Sequence, residues 1–161
     1  MTVADVGRVG AALEAAPGSY VLVLRCTTPT SIVVGRRGHL DFAPGWYLYV
    51  GSALGPGGVR ARLGRHLRGG GRCRWHVDYL RARMAVAGAW VAYSATNAEH
   101  DWAVALGGHP GLRMIDGVGA SDCRCASHLF HACRRPRLAR FAAALAARGA
   151  PPPRFEWRLR D

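Results

Sequence analysis

The residues whose types and spacing could do chemistry are Tyr20, Tyr49, Arg62, His66 and Glu99. Tyr20 follows Gly18-Ser19 and Tyr49 precedes Val50-Gly51, so each phenol sits beside a glycine in an apolar run. Two phenols brought to one point can hold a water or a phosphate oxygen, and an activated phenolate is a base. Arg62, Arg65 and His66 have helical spacing and share one face. A cationic helix face beside a glycine-rich strand end is a place where a scissile phosphate could sit. Taken one at a time, each tyrosine is more often a strand residue packing on a neighbour. Arg65 and its neighbour Arg68 read equally as a solvated basic face.

Acidic residues inform by their scarcity. The chain has three glutamates: Glu14, Glu99 and Glu156. Glu99 belongs to the first turn of an expected helix, where the helix dipole favours a carboxylate, and it shares the apolar stripe of Trp102 and Leu106. A carboxylate bordering a buried face needs a partner, and a divalent metal or an arginine would serve. A second cluster is Ser121-Asp122-Cys123-Arg124-Cys125, followed by His128. Cys123, Cys125 and His128 could be three zinc ligands, with His131 or Cys133 as a fourth. Against this, C-x-C is not the usual zinc-knuckle spacing, and buried cysteines often pack as small hydrophobes. The alternative is a structural turn in which Asp122 and His128 bond to backbone. His76 and Asp78, in WHVDYL, either support the site from behind or brace their own helix.

The formal net charge of +12 comes entirely from arginine, since lysine is absent, and it points to a polyanionic partner. Arginine suits phosphate because its planar fork donates two parallel hydrogen bonds. Arg60, Arg65 and Arg68 are the candidate nucleic-acid contacts. Half of the 161 residues are apolar, which excludes a disordered chain and fits one domain. No apolar run is long enough to span a membrane, and the first residues do not read as a signal peptide. Five cysteines without the spacing of a disulfide framework lead us to expect a reducing cytoplasm.

The elements that must position these groups follow from pattern. Residues 19–24, 31–34, 46–50 and 84–93 read as strands, and 57–68, 75–83, 98–106 and about 136–149 as helices, with Asn97 as a cap. Residues 107–127 are turn-rich, and Pro151-Pro152-Pro153 starts an extended tail. The order predicts an α+β domain with a small, mainly antiparallel sheet of three to four strands flanked by helices. We expect an N-terminal extension over 1–16, the domain proper over 17–133, and a basic helix and proline-rich tail over 134–161 packed on it.

In order along residues 17–133, the blocks GSYVLVL, GWYLYVGSAL, RLGRHLR, RWHVDYL and SDCRCASHLF resemble the GIY-YIG nuclease superfamily, more closely its stand-alone Uri-like branch. The first motif reads Gly-Ser-Tyr rather than Gly-Ile-Tyr, at a position that should point away from the tyrosines. The resemblance implies a magnesium- or manganese-dependent endonuclease cutting phosphodiester bonds in DNA, single-stranded or structured, with RNA left open and a partner protein able to supply specificity. It implies that Glu99 binds the metal and Arg62 neutralises phosphoryl charge. Tyr20 or Tyr49 would activate or orient the water, assisted by His66. Zinc is the less favoured cofactor. The alternative is a non-catalytic basic module that binds nucleic acid, zinc-stabilised in one version.

Overall fold

The apolar runs of the sequence become the middle of a sheet because both of its faces are covered. The computed structural model describes residues 12–69, 72–120, 123–153 and 155–158. In chain order come β1 (Gly18–Cys26), β2 (Thr30–Val33), a 3-10 turn at Gly35–Arg37, β3 (His39–Phe42) and β4 (Gly45–Ala53). Then follow α1 (Gly58–Arg68), α2 (His76–Arg81), β5 (Ala85–Tyr93) and α3 (Glu99–Gly107). β6 (Arg113–Met114), β7 (Leu129–Ala132), α4 (Leu138–Ala146) and β8 (Phe155–Arg158) complete the described elements.

The α+β class expected from the pattern is the class observed. The main sheet has the strand order β6-β7-β4-β1-β5-β8, and every pairing among the described residues is antiparallel. Because β4 and β5 both run antiparallel to β1, they are parallel to each other, and α1 and α2 cross over β1 to connect them. The register sets Leu22 opposite Tyr49 and Tyr20 opposite Gly51. Both tyrosines therefore face the same layer, since side chains two apart on a strand share a face.

On that face Tyr20, Leu22, Leu24, Tyr47 and Tyr49 pack against Val59, Leu63 and Leu67 of α1 and Val77 and Leu80 of α2. The opposite face carries Val21, Val23, Leu48, Val50 and Trp90 against Trp102 and Leu106 of α3 and Phe141 and Leu145 of α4. An isolated helix of eleven residues is marginal in water, so this packing is what holds α1 and sets the direction of its remaining side chains.

Three differences from the sequence reading have physical causes. The sheet has six strands, not three to four, because β6, β7 and β8 are two to four residues long, too short to show a period. The segment 31–34 does not join the main sheet: as β2 it pairs only with β3, whose four residues HLDF alternate too briefly to stand out. The turn-rich 107–127 stretch contains β6. Trp102 and Leu106 are buried as the stripe through Glu99 requires, and Asn97 Oδ1 accepts the Glu99 N–H at 2.9 Å.

Of the expected N-terminal extension, residues 1–11 lie outside the described residues. Leu13 is buried in the same core as Tyr20, and the Glu14 and Ala16 carbonyls accept the Arg60 and Val59 N–H groups at the start of α1. Gly57 and Gly58 have φ of 77° and 52°, and a Cβ on Gly58 would lie 2.1 Å from the Ala16 oxygen, so this turn into α1 needs glycine.

Candidate active site

Amphipathic α1 turns Val59, Leu63 and Leu67 into the core, which also turns His66 inward to 1% exposure. Its Nε2 lies 3.0 Å from the Tyr20 hydroxyl, and its Nδ1 lies 3.3 Å from Asp78 Oδ1. A carboxylate can only accept, so Nδ1 carries the proton and Nε2 accepts the Tyr20 O–H. Burial is the largest influence on this imidazole and pushes it down to about 4; Asp78 pulls it up, and Arg62 pushes it further down. His66 is thus neutral at ordinary pH.

Asp78 collects more partners than any other acid described. Its oxygens accept the Arg74 and Trp75 N–H groups at 2.8 and 3.1 Å, which caps α2, and both accept Arg65 NH1 at 3.0 Å. Burial works to raise its pKa, but these hydrogen bonds and His66 outweigh it and hold the carboxyl below its usual value. Asp78 therefore both braces its helix and orients His66. Arg81, also on α2, donates to the His66 and Leu67 carbonyls, closing the end of α1 and locking the two helices together.

Trp75 carries two arginines. The guanidinium carbons of Arg62 and Arg65 lie 4.7 and 4.5 Å from its ring centroid, and its ring meets that of His66 edge-on at 5.4 Å. Arg65 is committed to Asp78 and to the Arg72 carbonyl at 2.8 Å. Arg62 has a buried Nε with no hydrogen-bond acceptor, and its charge acts on Tyr20, Tyr49, His66 and Glu99 together. Arg62 is thus a cation that these four groups share.

Tyr20 is fully buried, and burial raises its pKa well above the ordinary phenol value against the pull of Arg62. Tyr49, 4% exposed, is raised too, by burial and then by Tyr20 and Glu99. Its hydroxyl has no hydrogen-bond partner among the described residues. The absence of a side chain at Gly51, which pairs with Tyr20 across β1 and β4, makes room for the phenol: a Cβ there would lie 2.6 Å from its oxygen.

Glu99 begins α3 at the end of the sheet. Its Oε2 accepts Ser52 Oγ–H at 2.8 Å, and its Oε1 lies 3.0 Å from His128 Nδ1, too far out of line to satisfy that nitrogen. Burial raises the carboxyl, but His128, Ser52 and the Arg62 charge prevail and keep it below its usual range. The partner that a half-buried Glu99 needs is thus a hydroxyl and an imidazole, not an arginine. Ser19, as expected, points away from the tyrosines: its Oγ accepts the Ala98 N–H at 3.1 Å ahead of α3.

Residues 19–149 match the family described as Domain of unknown function DUF123. The chain belongs to that family. No curated protein and no solved structure matches it. The DUF123 span runs from β1 to the turn after α4 and takes in every group described above, although its description names no activity.

The remaining candidates are distributed unevenly. Arg60 Nε donates to the Leu13 carbonyl at 2.6 Å and so ties down the N-terminal segment, while Arg68 is exposed. His76 Nδ1 accepts the Gly119 N–H at 2.7 Å, beside a cavity of about 310 Å³ that is also lined by Arg36, Arg37 and Cys125. Cys123, Cys125 and His128 come together within 4.8 Å, whereas Asp122 lies outside the described residues. Burial and the adjacent Cys123 push the Cys125 thiol up to about 11. His131, proposed as a fourth ligand, is instead bonded to the Pro44 carbonyl at 3.1 Å, and Cys133 is exposed outside the group. Ser52, Trp75, Arg81 and His100 were missed by sequence reading. The one local hint was Asp78, an acid three residues after Trp75 in the first turn of α2, where its carboxylate accepts the Trp75 N–H.

Proposed function

We propose that the chain is a divalent-metal-dependent endonuclease of the GIY-YIG type acting on DNA. The observation that carries this reading is the convergence of Tyr20, Tyr49, Glu99 and Asp78-supported His66 around one shared cation, Arg62. Glu99 suits magnesium or manganese: it is an ionised oxygen donor with 19% of its side chain exposed and no arginine ion-paired to it among the described residues. Such an ion would supply Lewis-acid stabilisation of phosphoryl charge.

The protein groups divide the rest. Arg62, held over Trp75, neutralises charge that grows on the non-bridging oxygens. The open hydroxyl of Tyr49 orients a water. Tyr20 takes that water's proton as its own passes to His66 Nε2, and the resulting imidazolium is stabilised at Nδ1 by Asp78. Water oxygen then bonds phosphorus, the bond to the leaving sugar oxygen breaks, and that oxygen is protonated from solvent. In this reading the exposed Arg36, Arg37 and Arg68 hold backbone phosphates.

A second reading, a non-catalytic DNA-binding module, is favoured by one fact: Tyr20 is fully covered, so the relay needs a small opening to reach water. Cleavage of labelled single-stranded, duplex and flapped DNA by wild type and Glu99→Ala separates the two. We expect metal-dependent cutting that a chelator abolishes and that falls at least about a hundredfold in the mutant, with circular dichroism confirming its fold. Tight binding without cutting on every substrate would leave the binding module.

A further inference from the structure

We propose that Cys123, Cys125 and His128 bind a zinc ion, with His100 of α3 as the fourth ligand, and that this ion orients Glu99. The site is separate from any magnesium or manganese at Glu99 and does not depend on the nuclease reading.

The donor atoms of Cys123, Cys125 and His128 lie within 4.8 Å of one another, with Cys123 Sγ 3.1 Å from His128 Nε2. Zinc bonds of about 2.3 Å to sulfur and 2.0 Å to nitrogen place tetrahedral donors roughly 3.5–3.8 Å apart, so small shifts close the group around an ion. His100 Nδ1 lies 2.9 Å from Cys125 Sγ on the side facing α3. It is exposed and can swing inward to complete the shell. Two thiolates and two imidazoles are a soft donor set that selects zinc over magnesium or calcium.

Two further observations point to an ion. The Cys125 N–H donates to Cys123 Sγ at 3.3 Å, a bond that supports negative charge on that sulfur. His128 is 2% exposed and its Nδ1 is unsatisfied, yet a carboxylate oxygen stands 3.0 Å away. Coordination through Nε2 fixes the proton on Nδ1, makes it a stronger donor and draws it into line with Glu99, the carboxylate–histidine–metal arrangement. Zinc thereby couples the 123–128 loop to the first turn of α3. The backbone spacing that looked wrong for a knuckle is completed from a helix instead.

The competing reading is a Cys123–His128–Glu99 nucleophile triad, for which the same two contacts would suffice. It leaves Cys125 and His100 without a role and predicts one reactive thiol and no metal.

The test is metal analysis of the untagged full chain, with cobalt substitution as a spectroscopic probe. We expect about one zinc per chain and, in the cobalt form, sulfur-to-cobalt charge-transfer absorption. Cys123→Ser and Cys125→Ser should each lose the metal, whereas Cys73→Ser, at an exposed cysteine elsewhere, should keep it. His100→Ala should bind zinc at least about tenfold more weakly; unchanged affinity would overturn its place in the shell. Alkylation of folded wild type guards against variants that fail to fold: Cys123 and Cys125 should be protected until a chelator exposes both together. Zinc near zero with cobalt giving no thiolate band, or rapid alkylation of Cys123 alone in untreated protein, would overturn the proposal.

Discussion

His66 Nε2 stands 3.0 Å from the hydroxyl of Tyr20, and the imidazole that joins them to Asp78 is neutral because it is buried. The contact links the central strand β1 to α1, and through Asp78 to α2. Disturbing any of the three elements should therefore reach the phenol.

Asp78→Asn removes the charge that fixes the His66 tautomer. Under the proposed nuclease mechanism, turnover should fall on the order of a hundredfold, the usual scale for a misdirected general base. Arg65→Ala breaks the same ion pair from its other side and should cost stability while keeping most turnover. Urea unfolding and single-turnover cleavage on both variants check this. Equal losses of turnover in the two would mean that Asp78 only braces its helix.

Stability should fall on mild acidification. His66 has a folded value of about 4 against an ordinary 6.5, so between these the unfolded chain binds a proton that the folded chain refuses. Stability then rises with pH across that window: the contribution is full above 6.5 and is lost as pH drops through about 4. The shift corresponds to something on the order of 3 kcal/mol. Asp78 and Glu99, both held below their ordinary values, add losses at lower pH. Denaturant titrations from about pH 7 down to about pH 4 should show the slope in wild type and a flatter one in His66→Gln. A wild type with constant stability down to about pH 5 would contradict the buried neutral imidazole.

Gly51→Ala should be far more damaging than its single methyl group suggests. The added carbon would lie 2.6 Å from the Tyr20 oxygen inside a paired pair of central strands, where neither backbone can retreat. We expect a loss of about 1–3 kcal/mol and, at temperatures where the variant is folded, a weakened Tyr20–His66 contact. The imidazole chemical shifts and their pH titration report the latter. An unchanged His66 titration would show that Tyr20 does not need this space.

Arginines near the site should separate by salt dependence. Arg68 is exposed, whereas Arg65 and Arg60 are bound to Asp78 and to the Leu13 carbonyl. If DNA is the partner, as proposed, Arg68→Ala should weaken its binding and lower the salt slope by about 1, the signature of one lost phosphate contact. Arg60→Ala should chiefly lower the melting temperature. Fluorescence anisotropy over a salt series distinguishes them, and identical slopes for wild type and Arg68→Ala would remove Arg68 from the interface.

Much of the frame was written in the sequence. The near-continuous apolar runs of β1, β4 and β5 fixed the centre of the sheet, because strands covered on both faces must be apolar throughout. The helical spacing of Arg62, Arg65 and His66 within 57–68 placed α1, and the stripe through Trp102 and Leu106 placed α3. Tyr20, Tyr49, Arg62, His66 and Glu99 could be picked out from residue type and position alone. Tertiary structure alone decided what each of them touches. Ser52 and His128 reach Glu99 from 47 residues before it and from the far side of a loop, and His100 meets Cys125 across the same gap. The four-residue strands β3 and β7 exist only through the partners they pair with. Local periodicity records which face of an element is buried; contacts between distant segments are set by how the buried faces pack, and no pattern along the chain carries that information.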